Sequence, residues 1–160
     1  MLACPCVLSP FSANLIQLVS TIAHCFQGKL LFSRKGRSMT VSVLVVDDSP
    51  MARKMLIRAL PPEWDIQIAQ ASGGAEALAA YRAGKVDVMF LDLTMPEMDG
   101  YQVLETLQRE DLNCLVIVVS ADIQEKAQQR VRELGAIAFI KKPVDAGKIE
   151  TVLRQHGIYV

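Results

Sequence analysis

The chain has 160 residues, enough for one domain with a real hydrophobic core and too few for a second of ordinary size. With 51% hydrophobic and 21% charged residues it has the composition of a folded protein and not of a disordered one. The formal net charge of +0 hides an uneven distribution: Lys29, Arg34, Lys35 and Arg37 stand in the first 39 residues with no acid among them, and the remainder holds 13 basic against 17 acidic groups, which excludes a general attraction to nucleic acid.

Residues 1–38, MLACPCVLSPFSANLIQLVSTIAHCFQGKLLFSRKGRS, carry an apolar stripe with no basic residue before it, unlike a secretory signal. Their apolar runs are broken by Ser, Asn, Gln and His and are too short and too polar to span a bilayer, so no membrane insertion is expected. Three readings stand open: a poorly ordered extension, a weak amphipathic helix over Asn14 to Phe26, or an upstream start with Met39 as the true first residue. The last is preferred because every regular feature begins just after Met39, which makes residues 39–160 the domain. Cys4, Cys6 and Cys25 lie in the first segment and only Cys114 beyond it. One cysteine builds no internal disulfide framework, so the domain reads as cytoplasmic.

From Val41 the pattern alternates between short β-branched runs and longer helix-period segments, the signature of a parallel sheet covered by helices on both faces. Ser42 to Val46 is the first expected strand. Ser49 followed by Pro50 gives an N-cap and a first-turn proline for a helix that Pro61 and Pro62 stop. Ile66 to Ala71 is the second strand, and Ser72-Gly73-Gly74 turns into an Ala-rich helix closed by Gly84, a position suited to a left-handed cap. Val86 to Leu91, nearly all apolar, fits a central strand buried on both faces. After a loop over Thr94 to Gly100, a helix runs from about Tyr101 to Arg109 with Val103, Leu104 and Leu107 inward. Leu115 to Val119 is the fourth strand, Ile123 to Leu134 a charged helix ended by Gly135, and Ile137 to Lys141 the fifth strand. The last helix starts near Asp145, keeps Ile149, Val152 and Leu153 inward, and ends before Gly157.

Right-handed crossovers place all loops that follow strands at one edge of such a sheet, where open α/β sheets bind ligands. Strand one ends in Asp47-Asp48, strand three in Asp92, strand four in Ser120 and strand five in Lys142-Pro143. Three clustered carboxylates repel one another unless a cation neutralises them. Oxygen donors of this kind suit Mg2+, which keeps part of its water shell and accepts a phosphoryl oxygen as a further ligand. Asp92 stands where a strand gives way to a loop and can present a nucleophilic oxygen to phosphorus, forming an acyl phosphate. Lys142 supplies a fixed positive charge and Ser120 a hydroxyl donor for the phosphoryl oxygens. Each residue alone has an ordinary explanation: a loop cap, a solvated turn, a helix start, a surface charge. Their joint placement at successive strand ends would need four coincidences.

The stretches VLVVDDSPMARKML, FLDLTMPEMDGYQVL, VIVVSAD and GAIAFIKKPV resemble the signature blocks of response-regulator receiver domains, the CheY-like family of two-component signalling. The resemblance covers Val41 to Val160. It implies a flavodoxin-like, doubly wound α/β fold: five parallel strands in order 2-1-3-4-5 with five helices. It also implies roles: Asp92 as phosphoacceptor, Asp47 and Asp48 as the acidic metal pair, and Thr94 as the residue whose backbone carbonyl completes the Mg2+ site. Ser120 matches the switch hydroxyl, Phe139 the switch aromatic, Lys142 the phosphate-pairing lysine, and Pro143 the proline after a cis bond.

The expected function follows. A sensor histidine kinase or a histidine phosphotransfer protein would supply the phosphoryl group, Ser120 would move toward it, and Phe139 would turn inward. The surface of the fourth helix, fifth strand and fifth helix would then change for a downstream protein target that the sequence does not name. With only His156 to Val160 after the last helix, a stand-alone receiver is expected, in chemotaxis, in a relay or as a phosphate sink. Such a protein is not an enzyme acting on a separate metabolite. Two alternatives compete. One is a docking module of this fold that is never phosphorylated. The other is a Mg2+-dependent phosphatase with an Asp nucleophile, which needs a second Asp where Thr94 stands and leaves Asp47-Asp48 unexplained.

Overall fold

Short, nearly continuous apolar runs need a sheet with two covered faces, and the chain builds one. The computed structural model describes residues 40–84, 86–121 and 124–159. The expected boundary at Met39, everything expected of residues 1–38, and Ile123 lie outside them. Five strands, β1 (Val41–Val46), β2 (Ile66–Ala71), β3 (Val88–Leu91), β4 (Leu115–Ser120) and β5 (Ala138–Lys141), alternate with five helices. The helices are α1 (Pro50–Ala59), α2 (Gly74–Arg82), α3 (Gly100–Arg109), α4 (Glu125–Glu133) and α5 (Ala146–Gln155). All neighbouring strands pair in parallel, in the order β2-β1-β3-β4-β5, which is the expected doubly wound arrangement.

Side chains of consecutive strand residues point to opposite faces, and two cores result. Val43, Val45, Phe90 and Ile117 pack with Leu56 of α1 and with Ile149 and Leu153 of α5. Leu44, Val46, Leu91 and Val118 pack with Leu78 of α2, with Val103, Leu104 and Leu107 of α3, and with Val131 of α4. β3, flanked by β1 and β4, is buried at every residue because both cores close over it. Burying each such side chain contributes about 1.5–3 kcal/mol. In the first of these cores Trp64, in the loop between α1 and β2, meets Tyr159 edge to face with ring centres 6.3 Å apart.

Local chemistry sets where the elements start and stop. The Ser49 hydroxyl accepts the Ala52 N–H at 3.3 Å, and Pro50 opens α1. Asp99 and Gln102 form a reciprocal capping box at the start of α3. Gly84 follows α2 with φ +70°, the left-handed conformation expected of it. β3 begins at Val88 and not at Val86, although Asp87 donates its N–H to the Ser42 carbonyl and its carbonyl accepts the Leu115 N–H, both at 2.9 Å, while its carboxylate accepts the Ser42 N–H at 2.8 Å. β4 runs one residue further than expected and takes in Ser120, whose carbonyl accepts the Lys142 N–H at 2.9 Å. The Lys142–Pro143 peptide is cis. Among the described residues, no helix is long and apolar enough to cross a membrane.

Candidate functional site

The chain leaves β1 for one side of the sheet and β3 for the other, so a crevice opens at the carboxyl ends of these two strands. Asp47, directly after β1, and Asp92, directly after β3, stand side by side there. The Asp92 N–H donates to the Val46 carbonyl at 3.0 Å, which locks the two strand ends in register. Both are buried, Asp47 at 6% exposure and Asp92 at 4%, while Asp48 faces solvent. One carboxylate oxygen from each of Asp47, Asp48 and Asp92 lies within 4.8 Å of the others.

Lys142 reaches this cluster from the end of β5. Its Nζ donates to Asp47 Oδ2 at 2.7 Å and lies 3.0 Å from Asp92 Oδ1. The other Asp47 oxygen accepts the Ser49 N–H at 2.9 Å. Burial pushes the Asp92 carboxyl above its ordinary value, and the hydrogen bond and charge of Lys142 offset this only in part. For Lys142, burial works against the ammonium, but the hydrogen bonds and charges of Asp47 and Asp92 together outweigh it and leave its pKa raised. Three carboxylates and one ammonium leave two negative charges over, the complement of one divalent cation. Oxygen donors alone, with one exposed member open to water, are the donor set of a hard cation such as Mg2+ or Ca2+.

The remaining expected residues are disposed around this centre. Ser120 is fully buried at the end of β4, between the ends of β3 and β5. Thr94 is exposed, two residues beyond Asp92. Phe139 is half-buried on β5 and packs against the core formed with α2, α3 and α4. It also lines a groove of about 500 Å³ with Lys141, Lys148 and Val152 between β5 and α5.

Two further residues shape the site. A Cβ on Gly100 would collide with the carbonyl oxygen of Asp92 and come within 2.8 Å of Leu93 Cα, so only glycine lets α3 begin this close to the Asp92 backbone. The MDG tripeptide marks a turn in the sequence but does not reveal this approach. Arg53 donates from Nη1 to the Asp47 carbonyl at 2.7 Å. In the sequence it is one more charge on an amphipathic helix, with no signal to single it out.

A family model described as "Response regulator receiver domain" matches residues 43–154. Chemotaxis protein CheY of Bacillus subtilis is 32% identical over 111 residues, covering 69% of this chain and 92% of that protein. A protein-glutamate methylesterase/protein-glutamine glutaminase of Anaeromyxobacter dehalogenans is 37% identical over 109 residues, covering 67% of this chain but only 32% of that protein. Among solved structures, the CheX-CheY-BeF3-Mg2+ complex from Borrelia burgdorferi aligns with a TM-score of 0.68 at 32% identity, over 74% of this chain and 90% of that one. A carboxylate cluster at the switch point of a 2-1-3-4-5 sheet, closed by a lysine from the last strand, thus coincides with a match over most of the chain: the protein belongs to the response regulator receiver domain family of two-component signalling.

Proposed function

We propose that the chain is a phosphoacceptor response regulator, phosphorylated on Asp92 in the presence of Mg2+. The observation that carries this reading is the Lys142 ammonium, 3.0 Å from Asp92 and 2.7 Å from Asp47, bridging two of the three clustered carboxylates. Asp47, Asp48, Asp92 and the Thr94 backbone carbonyl would hold the ion. Bound there, Mg2+ would neutralise charge on the phosphoryl oxygens. Support for the metal also comes from the Borrelia complex, in which Mg2+ accompanies BeF3, a fluoride analogue of the phosphoryl group.

In the transfer, an Asp92 carboxylate oxygen bonds to phosphorus in line with the donor, and the donor's bond to phosphorus breaks. With acetyl phosphate the leaving group is acetate, and no proton needs to be moved. Lys142 is placed to exchange part of its contact with Asp92 for the new phosphoryl oxygens. Ser120 adds a hydroxyl donor from β4. Its movement toward the phosphoryl group would leave room for the half-buried Phe139 to turn inward. That shift in population between two packings alters the surface of α4, β5 and α5, and a downstream protein reads it. The donor in the cell is a sensor histidine kinase or a histidine phosphotransfer protein, and the setting is the cytoplasm. In this reading residues 39–160 are the receiver, and it acts on no separate metabolite.

The test is intact-protein mass spectrometry of the full chain after incubation with acetyl phosphate and Mg2+, beside Asp92→Asn and a metal-free control. One phosphoryl mass increment that requires metal and disappears in Asp92→Asn is expected. Absence of the increment in folded protein, with a kinase donor also tried, would leave a docking module of receiver fold.

A further inference from the structure

Arg53 stands one helical turn after Ser49, and its backbone N–H donates to the Ser49 carbonyl at 3.1 Å as α1 requires. Its side chain folds back over the start of its own helix. Nη1 donates to the Asp47 carbonyl at 2.7 Å, and Nε donates to Gln70 Oε1 on β2 at 3.0 Å. The Asp47 carbonyl belongs to the peptide that joins Asp47 to Asp48, so the guanidinium clamps that peptide plane against the neighbouring strand. The same residue is held on its other sides as well. The Asp47 N–H donates to the Ala71 carbonyl at 3.2 Å, Oδ1 accepts from Ser49, and Oδ2 accepts from Lys142.

Asp48 has a different situation. It is exposed, and the direction in which its carboxylate leaves the chain follows from the peptide plane before it. We propose that Arg53 is a positioning residue for the cation site: by clamping the Asp47–Asp48 peptide it keeps these two carboxylates at the spacing that, with Asp92, accepts a divalent cation. This rests on the reading of the cluster as a Mg2+ site. Groups that orient metal ligands from outside the coordination sphere typically set affinity by tenfold or more.

The alternative role of a guanidinium here is purely electrostatic, and it has the opposite sign. A positive charge beside a cation site repels the cation, so a residue acting only through charge would weaken Mg2+ binding and its removal would strengthen it. The direction of the change therefore separates the two roles.

The experiment is calorimetric titration of Mg2+ into the full chain, as wild type, Arg53→Ala, Arg53→Lys, Gln70→Ala and Lys54→Ala, with thermal melts of each in EDTA. Arg53→Ala is expected to weaken Mg2+ binding about tenfold while keeping a cooperative melt. Arg53→Lys, which keeps the charge and one flexible donor, should recover part of the loss. Gln70→Ala frees the far side of the guanidinium and should weaken binding in the same direction by less. Lys54→Ala removes an exposed charge from the same helix and should leave binding unchanged or slightly tighter. Binding by Arg53→Ala as tight as the wild type, or tighter, overturns the proposal. If Arg53→Ala does not fold, unchanged affinity in both Arg53→Lys and Gln70→Ala overturns it instead. A wild type that takes no Mg2+ overturns the underlying reading of the site, and does so before any variant is compared.

Discussion

Lys142 Nζ lies 2.7 Å from Oδ2 of Asp47, a residue 95 positions earlier in the chain. The pair joins the ends of β5 and β1 across the two strands between them, and the same ammonium is shared with Asp92. Lys142→Ala strands two buried carboxylates without a cation. A fully buried pair broken in this way costs about 3–5 kcal/mol. The lysine side chain is 27% exposed, so a loss of about 1–3 kcal/mol at pH 7 is expected here. Urea denaturation checks it, and added Mg2+ should restore much of the loss by supplying the missing charge. A variant as stable as the wild type in EDTA would make the ion pair incidental.

Asp92 ties stability to pH. Its folded-state pKa lies above the ordinary value of 3.8 because burial disfavours the charged form. Between those two values the folded chain keeps a proton that the unfolded chain has released, so stability falls as pH rises through that window. Above it the cost of the buried charge is fully present. Asp92→Asn removes that cost, while Lys142 keeps its contact with Asp47. In EDTA at pH 7 the variant should melt at a higher temperature than the wild type, and the difference should shrink as the pH is lowered past the ordinary Asp value. A lower melting temperature for Asp92→Asn at pH 7 would show that the Lys142 contact outweighs burial.

Gly100 tests the closeness of α3 to Asp92. Gly100→Ala places a methyl group against the Asp92 carbonyl and Leu93 Cα, both backbone, and the only relief is movement of the strand end or the helix. A loss of about 1–3 kcal/mol is expected by chemical denaturation, with reduced uptake of phosphoryl groups by Asp92. Gly73→Ala is the control. A Cβ there meets nothing within 4 Å, and the backbone is extended at φ −172°.

Cys114 should be inert in the folded protein. It is buried at 6% exposure, and burial pushes its thiol up to about 11. At pH 8 the thiolate then amounts to roughly one molecule in a thousand, shielded from reagent as well. Iodoacetamide followed by peptide mapping should find the Cys114 peptide unmodified under native conditions and modified in urea. Rapid native labelling would indicate frequent opening of the β4 start.

Most of this architecture was legible in the residues, because short β-branched runs and helix-period segments alternate from β1 to α5. Two strand ends were misjudged. Val86 and Asp87 precede the strand, although the Asp87 backbone still bonds Ser42 and Leu115 on the two flanking strands and its carboxylate takes the Ser42 N–H. Ser120 looks like a residue after a strand but is its last member, with its carbonyl bonded to the Lys142 N–H. Asp47, Asp92 and Lys142 were findable because topology alone gathers strand ends. Arg53 was not: its role depends on a side chain turning back toward a backbone carbonyl, and a carbonyl leaves no mark in a sequence. Gly100 was equally silent, since a turn glycine and a close-approach glycine are written alike.

Trp64 is the chain's single tryptophan, and its position decides what light can report. It packs with Tyr159 in the core shared with α1 and α5, next to Asp65, whose carbonyl accepts the Val41 N–H at the beginning of β1. The six residues of β1 separate that level from Asp47 by about 20 Å. Its emission therefore records the opening of one face of the sheet directly, and events at the carboxylates only through the packing of α5. A second indole engineered near the other end of the strands would report the binding of a cation directly.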